Sequence, residues 1–301
     1  MNANQKRLIA ALAITLVIFL AELIGGFISN SLALLSDAGH MLTDTMALVL
    51  ALLAAAFAAR PATKKSTFGF YRLEILSSLF NGSILTLIAL FIFYQAYQRF
   101  IHPVQVSSGL MLIVATIGLF GNIGSALILA SRSRENLNLR GAFLHVVSDL
   151  LSSVGVIVGG LIILFTRWYF IDPLLGILIG IMILRGALML VYDSANILLE
   201  AAPEGIDIDE VTKVICSFDG VEDIHDLHVW SITSGINALS VHIVIEEGAV
   251  NTTSDILKKI RQMLKTKFNI SHATFQTECE ACPEDLFCHI ERREESHGRQ
   301  H

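Results

Sequence analysis

Long apolar runs alternate with short polar connections from the start of the chain to about Leu199, and then the pattern changes character. Six runs are long enough, at about 20 residues or more, to cross a hydrocarbon core of about 30 Å as helices. They fall near residues 8–28, 34–58, 75–99, 108–130, 142–166 and 173–199. Beyond Pro203 the apolar positions take on the periods of a small α+β domain. "DIDEVTKVICSF" is amphipathic, "DIHDLHVWSI" and "ALSVHIVIE" alternate with period two around "TSGIN", "TSDILKKIRQMLKTKF" is a second amphipathic helix, and "HATFQTE" closes as a strand. The pattern predicts a six-helix membrane domain over 1–202, a small cytosolic α+β domain over 203–280 and a Cys/His-containing tail over 281–301.

Composition agrees: 53% of the 301 residues are hydrophobic and 16% charged, more apolar than an ordinary soluble domain. The net charge of −6 and the lack of Lys/Arg blocks argue against a nucleic-acid partner. Lys6 and Arg7, then Arg60, Lys64, Lys65 and Arg72, then Arg132, Arg134 and Arg140 occupy one set of connections, whereas the other set holds Arg99 and Arg167. The positive-inside rule therefore puts both termini in the cytosol. The first run differs from a signal peptide in its length, in lacking a small-residue cleavage site before Gly25-Gly26 and in carrying Glu22, so it is expected to be an uncleaved span.

Against this background the stretch "SDAGHMLTD" is anomalous, because ionisable groups in a span cost several kcal/mol unless they are paired or wet. His40 and Asp44 lie four apart in the second run, and His145 and Asp149 lie four apart in the fifth. At about 3.6 residues per turn, each pair shares one helix face. Facing each other, the two pairs supply two imidazoles and two carboxylates, a tetrahedral set suited to Zn²⁺ and less to Mg²⁺ or Ca²⁺, which prefer all-oxygen shells. A structural ion pair would need only one His and one Asp. Asp37 falls on the same stripe, either as a helix-starting cap or as a waypoint for the ion. Glu22, Asn81 and Asn122 are expected to be interhelical hydrogen-bond partners, and Gly155/Gly159 and Gly176/Gly180 to allow close packing of the fifth and sixth helices.

Taken together, "SLALLSDAGHMLTDTMALVLAL", "FGFYRLEIL", "NLNLRGAFLHVVSDLLSSVGVIVGG", "IDPLLGILIG" and "IHDLHVWSITSG" resemble the cation diffusion facilitator family over essentially the whole chain, in its bacterial cobalt-zinc-cadmium resistance form. The resemblance implies a homodimeric, proton-coupled exporter of divalent metal in the bacterial cytoplasmic membrane, with a ferredoxin-like cytosolic domain. It implies that His40, Asp44, His145 and Asp149 form the transport site, and that Arg72 and Glu200 form a charge pair near the dimer's cytosolic juncture. A histidine at position 40 is similar to the zinc-preferring members, with Cd²⁺ and Co²⁺ as further substrates. An additional His/Asp site that some members carry between the second and third spans is not expected in "PATKKSTFGFYR".

In the cytosolic domain the C-x-x-C spacing of Cys279 and Cys282 argues for metal thiolates over a disulfide. The resemblance further implies zinc held by His225, His242, Glu278, Cys279 and Cys282. His228 and His272 are expected on the strand surface, and Cys216 in the core. Two other functions compete. An intramembrane metalloprotease wants H-E-x-x-H, but Met41 follows His40, so no enzyme is expected. A membrane-bound metal sensor without transport accounts for the cytosolic histidines and cysteines, but has no use for ligand pairs in two spans.

Overall fold

This computed structural model describes residues 3–58, 62–130 and 137–278. The apolar runs form six long helices: α1 (Ala3–Ser29), α2 (Leu32–Ala58), α3 (Arg72–Ile101), α4 (Ser108–Ala130), α5 (Leu137–Thr166) and α6 (Ile171–Leu198). Five of them are, over their described residues, long and apolar enough to cross a membrane; α2 is not among the five. The chain divides into two units, Met1–Leu53 with Ser77–Tyr192, and Ala54–Leu76 with Asp193–His301.

The first unit is inverted relative to a soluble bundle. Phe27, Phe91, Leu127 and Phe165 are exposed, while Glu22, Asp37, Asn81, Asn122 and Asp149 are buried. That is the distribution a lipid solvent selects, since every polar group at depth must be satisfied within the protein. Leu34 of α2, Ala89 and Ile92 of α3, Met111 of α4, Val156 of α5 and Ile179 of α6 share one apolar cluster. Gly159 lets α5 approach Leu175 of α6 too closely for any side chain, and Gly180 meets Phe93 of α3. Gly155, expected in the same α5–α6 contact, has open space around it instead.

A carboxylate from far along the chain sets the start of α2. The chain turns between α1 and α2 at Asn30, which takes a left-handed φ of 55° that asparagine tolerates. The side chain of Asp172, in the first turn of α6, then accepts from Ser31 Oγ at 2.6 Å, Leu32 N at 2.7 Å and Ala33 N at 3.2 Å. It also pairs with Arg99 Nη1 of α3 at 2.9 Å, and Arg99 donates to the carbonyl of Asn30 at 2.5 Å. The otherwise orphaned amides that open α2 are thus satisfied by another helix.

In the second unit, α7 (Ile208–Cys216), β1 (Val221–Thr233), β2 (Ile236–Ile245), a short 3-10 turn, α8 (Thr253–Phe268) and β3 (Ile270–Glu278) follow in the order that the periodicity predicts. Asp207 caps α7 by accepting from the amides of Asp209 and Glu210. β1 and β2 pair antiparallel and β3 runs parallel to β2, giving the sheet order β1-β2-β3. Val211 and Ile215 of α7 and Ile256, Ile260 and Leu264 of α8 bury against Leu227, Leu239, Val241 and Ile243 of the sheet. The result is the small α+β domain expected.

Candidate metal sites

Two groups of potential donors stand out, one in each unit. In the membrane unit, α2 carries Asp37, His40 and Asp44, and α5 carries His145, Asp149 and Ser152. Asp37 and Asp149 are each 3% exposed, and His40 is half-buried. The side chains of Asp44 and His145 lie outside those described. Ser152 Oγ donates to Asp37 Oδ1 at 2.6 Å, so the two helices meet at that level. Asp37 is not a helix cap: α2 begins five residues earlier, at Leu32, where Ser31 and Asp172 serve that purpose. Glu22, expected to bridge helices, leaves its buried Oε2 without a hydrogen-bond partner, and the bare backbone of Gly118 makes room for its carboxylate.

In the second unit, His225 of β1 and His242 of β2 are direct cross-strand partners, and Glu278 ends β3. Three side chains converge: His242 Nδ1 lies 3.3 Å from His225 Nε2 and 3.2 Å from Glu278 Oε1, and His225 Nε2 lies 3.3 Å from Glu278 Oε2. Ligands about 2.0–2.1 Å from a tetrahedral zinc lie about 3.3 Å from one another, so the spacing fits that ion. Gln276 Nε2 donates to Glu278 Oε1 at 2.8 Å, which orients the carboxylate. His225 is almost fully buried, whereas His242 and Glu278 keep an open side.

The other residues singled out from the sequence fall as follows. His228 and His272 are exposed and outside the cluster. Cys279 and Cys282 lie outside the described residues. Cys216 packs against the domain core, where burial and then the charge of Asp223 push its thiol above the usual range, the opposite of a reactive or ligating cysteine. Arg72 and Glu200 meet at 2.7 Å as a largely exposed pair. Asp226 was missed: strict alternation would put it on the face opposite His225, yet its Oδ2 lies 3.8 Å from His242 Nδ1.

Known protein families match the chain in two parts. Residues 8–199 match the cation efflux transmembrane domain, and residues 203–280 the cation efflux protein cytoplasmic domain. The chain is 47% identical over 281 residues to the metal cation efflux system protein CzcD of Cupriavidus metallidurans, covering 93% of this chain and 89% of that one. It is 44% identical over 283 residues to the cadmium, cobalt and zinc/H⁺-K⁺ antiporter of Bacillus subtilis, covering 93% and 91%. It is 41% identical over 301 residues to the zinc transporter ZitB of Escherichia coli, covering 99% and 95%.

Proposed function

The chain belongs to the cation efflux, or cation diffusion facilitator, family, and on that premise we propose that it exports Zn²⁺ from the cytosol in exchange for protons, with Cd²⁺ and Co²⁺ as further substrates. Its class is plain: it is a multi-pass membrane protein of metal cation efflux, not an enzyme. The transport site of this proposal is His40, Asp44, His145 and Asp149.

The hydrogen bond between Ser152 and Asp37 carries the site reading. If α2 and α5 run antiparallel, stepping along both from that contact brings His40 opposite Asp149, and then Asp44 opposite His145. The three positions follow i, i+3, i+7 on α2 and i, i+4, i+7 on α5, and either spacing keeps them on one face. Two residues of each type then surround one point. The relatives' names support the metals, one naming zinc and another cadmium, cobalt and zinc.

Proton exchange follows from the donor chemistry. Imidazole must be unprotonated to bind metal, so loading expels protons, and protons arriving from the far side expel metal. Both termini face the cytosol, the bilayer is a bacterial cytoplasmic membrane, and the transporter works as a homodimer, for which the Arg72–Glu200 pair sits at the cytosolic juncture. Residues 1–202 move the ion and residues 203–280, followed by the tail 281–301, bind cytosolic metal. There His225, His242 and Glu278 would hold zinc, with Cys279 and Cys282 as further thiolate donors. Bound zinc supplies a cross-link between three strands, and thereby a means of sensing supply.

Zinc flux into everted vesicles tests this. Wild type is expected to accumulate zinc when a pH gradient is imposed, and His40→Ala and Asp149→Ala are expected not to. A sensor without transport would show no flux in any of the three, and a uniporter would ignore the gradient.

A further inference from the structure

One residue beside the cytosolic cluster sits in a conformation that its strand does not require. β1 breaks register against β2 between His225 and His228, a bulge that inserts an extra residue on the β1 side. Asp226 occupies that bulge with a φ of +50°, a left-handed value uncommon for a residue other than glycine. Such conformations cost on the order of 1–3 kcal/mol and persist where the surroundings hold them. A regular strand would have sent the Asp226 side chain to the face opposite His225. The bulge re-aims it toward His242.

Which nitrogen it approaches decides what it does. A carboxylate that merely orients a metal-binding histidine sits at the ring nitrogen turned away from the metal. Asp226 instead approaches His242 Nδ1, the atom that also faces His225 Nε2 and Glu278 Oε1. It is therefore on the ligand side of the ring. Its distance of 3.8 Å is a few tenths of an ångström longer than the spacing of two ligands on a tetrahedral zinc. Its side chain is only 16% exposed, and its Oδ1 is buried with no hydrogen-bond partner. A buried acceptor is costly to leave without one.

Charge points the same way. Zn²⁺ bound by two neutral imidazoles and one carboxylate retains one positive charge in a mostly buried setting, and a second carboxylate cancels it. Resting on the reading that His225, His242 and Glu278 hold zinc, we propose that Asp226 is the fourth ligand of the cytosolic site. The shell is then two nitrogens and two oxygens, complete within the folded domain, and Asp226 takes the place given above to Cys279 and Cys282 as the source of the remaining ligand.

The test uses the full chain in detergent, carrying His40→Ala and Asp149→Ala so that metal in the membrane unit is not counted. Zinc affinity is measured by competition with a chromogenic chelator, and the shell by the absorption spectrum of the Co²⁺ form. Asp226→Asn keeps a side chain that tolerates positive φ and is expected to weaken zinc binding by at least about tenfold. Asp226→Gly relieves the backbone and is expected to lose the same affinity while melting no lower than the parent. The Co²⁺ form is expected to show no thiolate charge-transfer band. Unchanged affinity in Asp226→Asn, a lower melting temperature in metal-free Asp226→Gly, or a thiolate band that Cys279→Ser abolishes would each overturn the proposal. A parent that binds no zinc at all would overturn the three-residue site beneath it, a distinguishable failure.

Discussion

The two units gather similar donor chemistry by opposite means. In the membrane unit the candidate ligands come from two long helices, where a spacing of three or four residues keeps them on one face, and the surroundings are apolar on the outside with a few polar groups buried among apolar ones within. In the cytosolic unit they come from three strands, His225 and Asp226 from β1, His242 from β2 and Glu278 from β3, on a domain with an ordinary apolar core. A helix writes its ligand face into local sequence, whereas a sheet assembles one from register, and register depends on distant pairing. The first kind of site is therefore visible in a motif and the second is mostly not.

Loss of transport breaks the comparison most directly. His40→Ala or Asp149→Ala is expected to reduce zinc flux in vesicles to background while the cytosolic site still takes up zinc; loss of both together would mean that the two sites are one system. Next in size is Asp172→Ala, which leaves Arg99 without its buried partner and α2 without its borrowed cap. Removing one partner of a buried pair costs about 3–5 kcal/mol, so a clear fall in the melting temperature of the detergent-solubilised protein is expected, and none would mean that water replaces the carboxylate.

Glu278→Gln sharpens the cytosolic side. It keeps the shape and removes the charge, and zinc affinity measured by chelator competition is expected to drop by about tenfold, or about 1.4 kcal/mol, with flux reduced far less than by Asp149→Ala. Smallest is Arg72→Ala. Its pair with Glu200 is largely exposed, and such pairs contribute about 0–1 kcal/mol, so chemical denaturation is expected to shift barely at all. A large shift would mark a burial that the single chain does not have, as a dimer contact would provide.

The same contrast explains what was legible in the sequence. The six helices follow from run length, and helical period makes the pairs His40/Asp44 and His145/Asp149 candidates. The α+β order followed from a switch of period at Pro203. Asp37 was ambiguous because a cap and a pore residue look alike until the helix start is known, and that start depends on Asp172, 140 residues away from Leu32. In "IDPL" nothing marks Asp172 as anything but the cap of its own helix. Asp226 was hidden because period-two reasoning assigns it to the wrong face wherever a bulge intervenes, and bulges at non-glycine residues leave no fixed mark in sequence.

The borrowed cap also bears on how the protein is made. The ribosome delivers the chain from the N-terminus at about 5–20 residues per second, so α6 emerges roughly 7–28 s after the start of α2. Throughout that interval Ser31, Leu32 and Ala33 lack the carboxylate that later serves them, and Arg99 arrives before its counter-charge. The start of the second helix is thus finished long after its residues are made, and Asp172 works as a latch that closes only when the last helix has been synthesised.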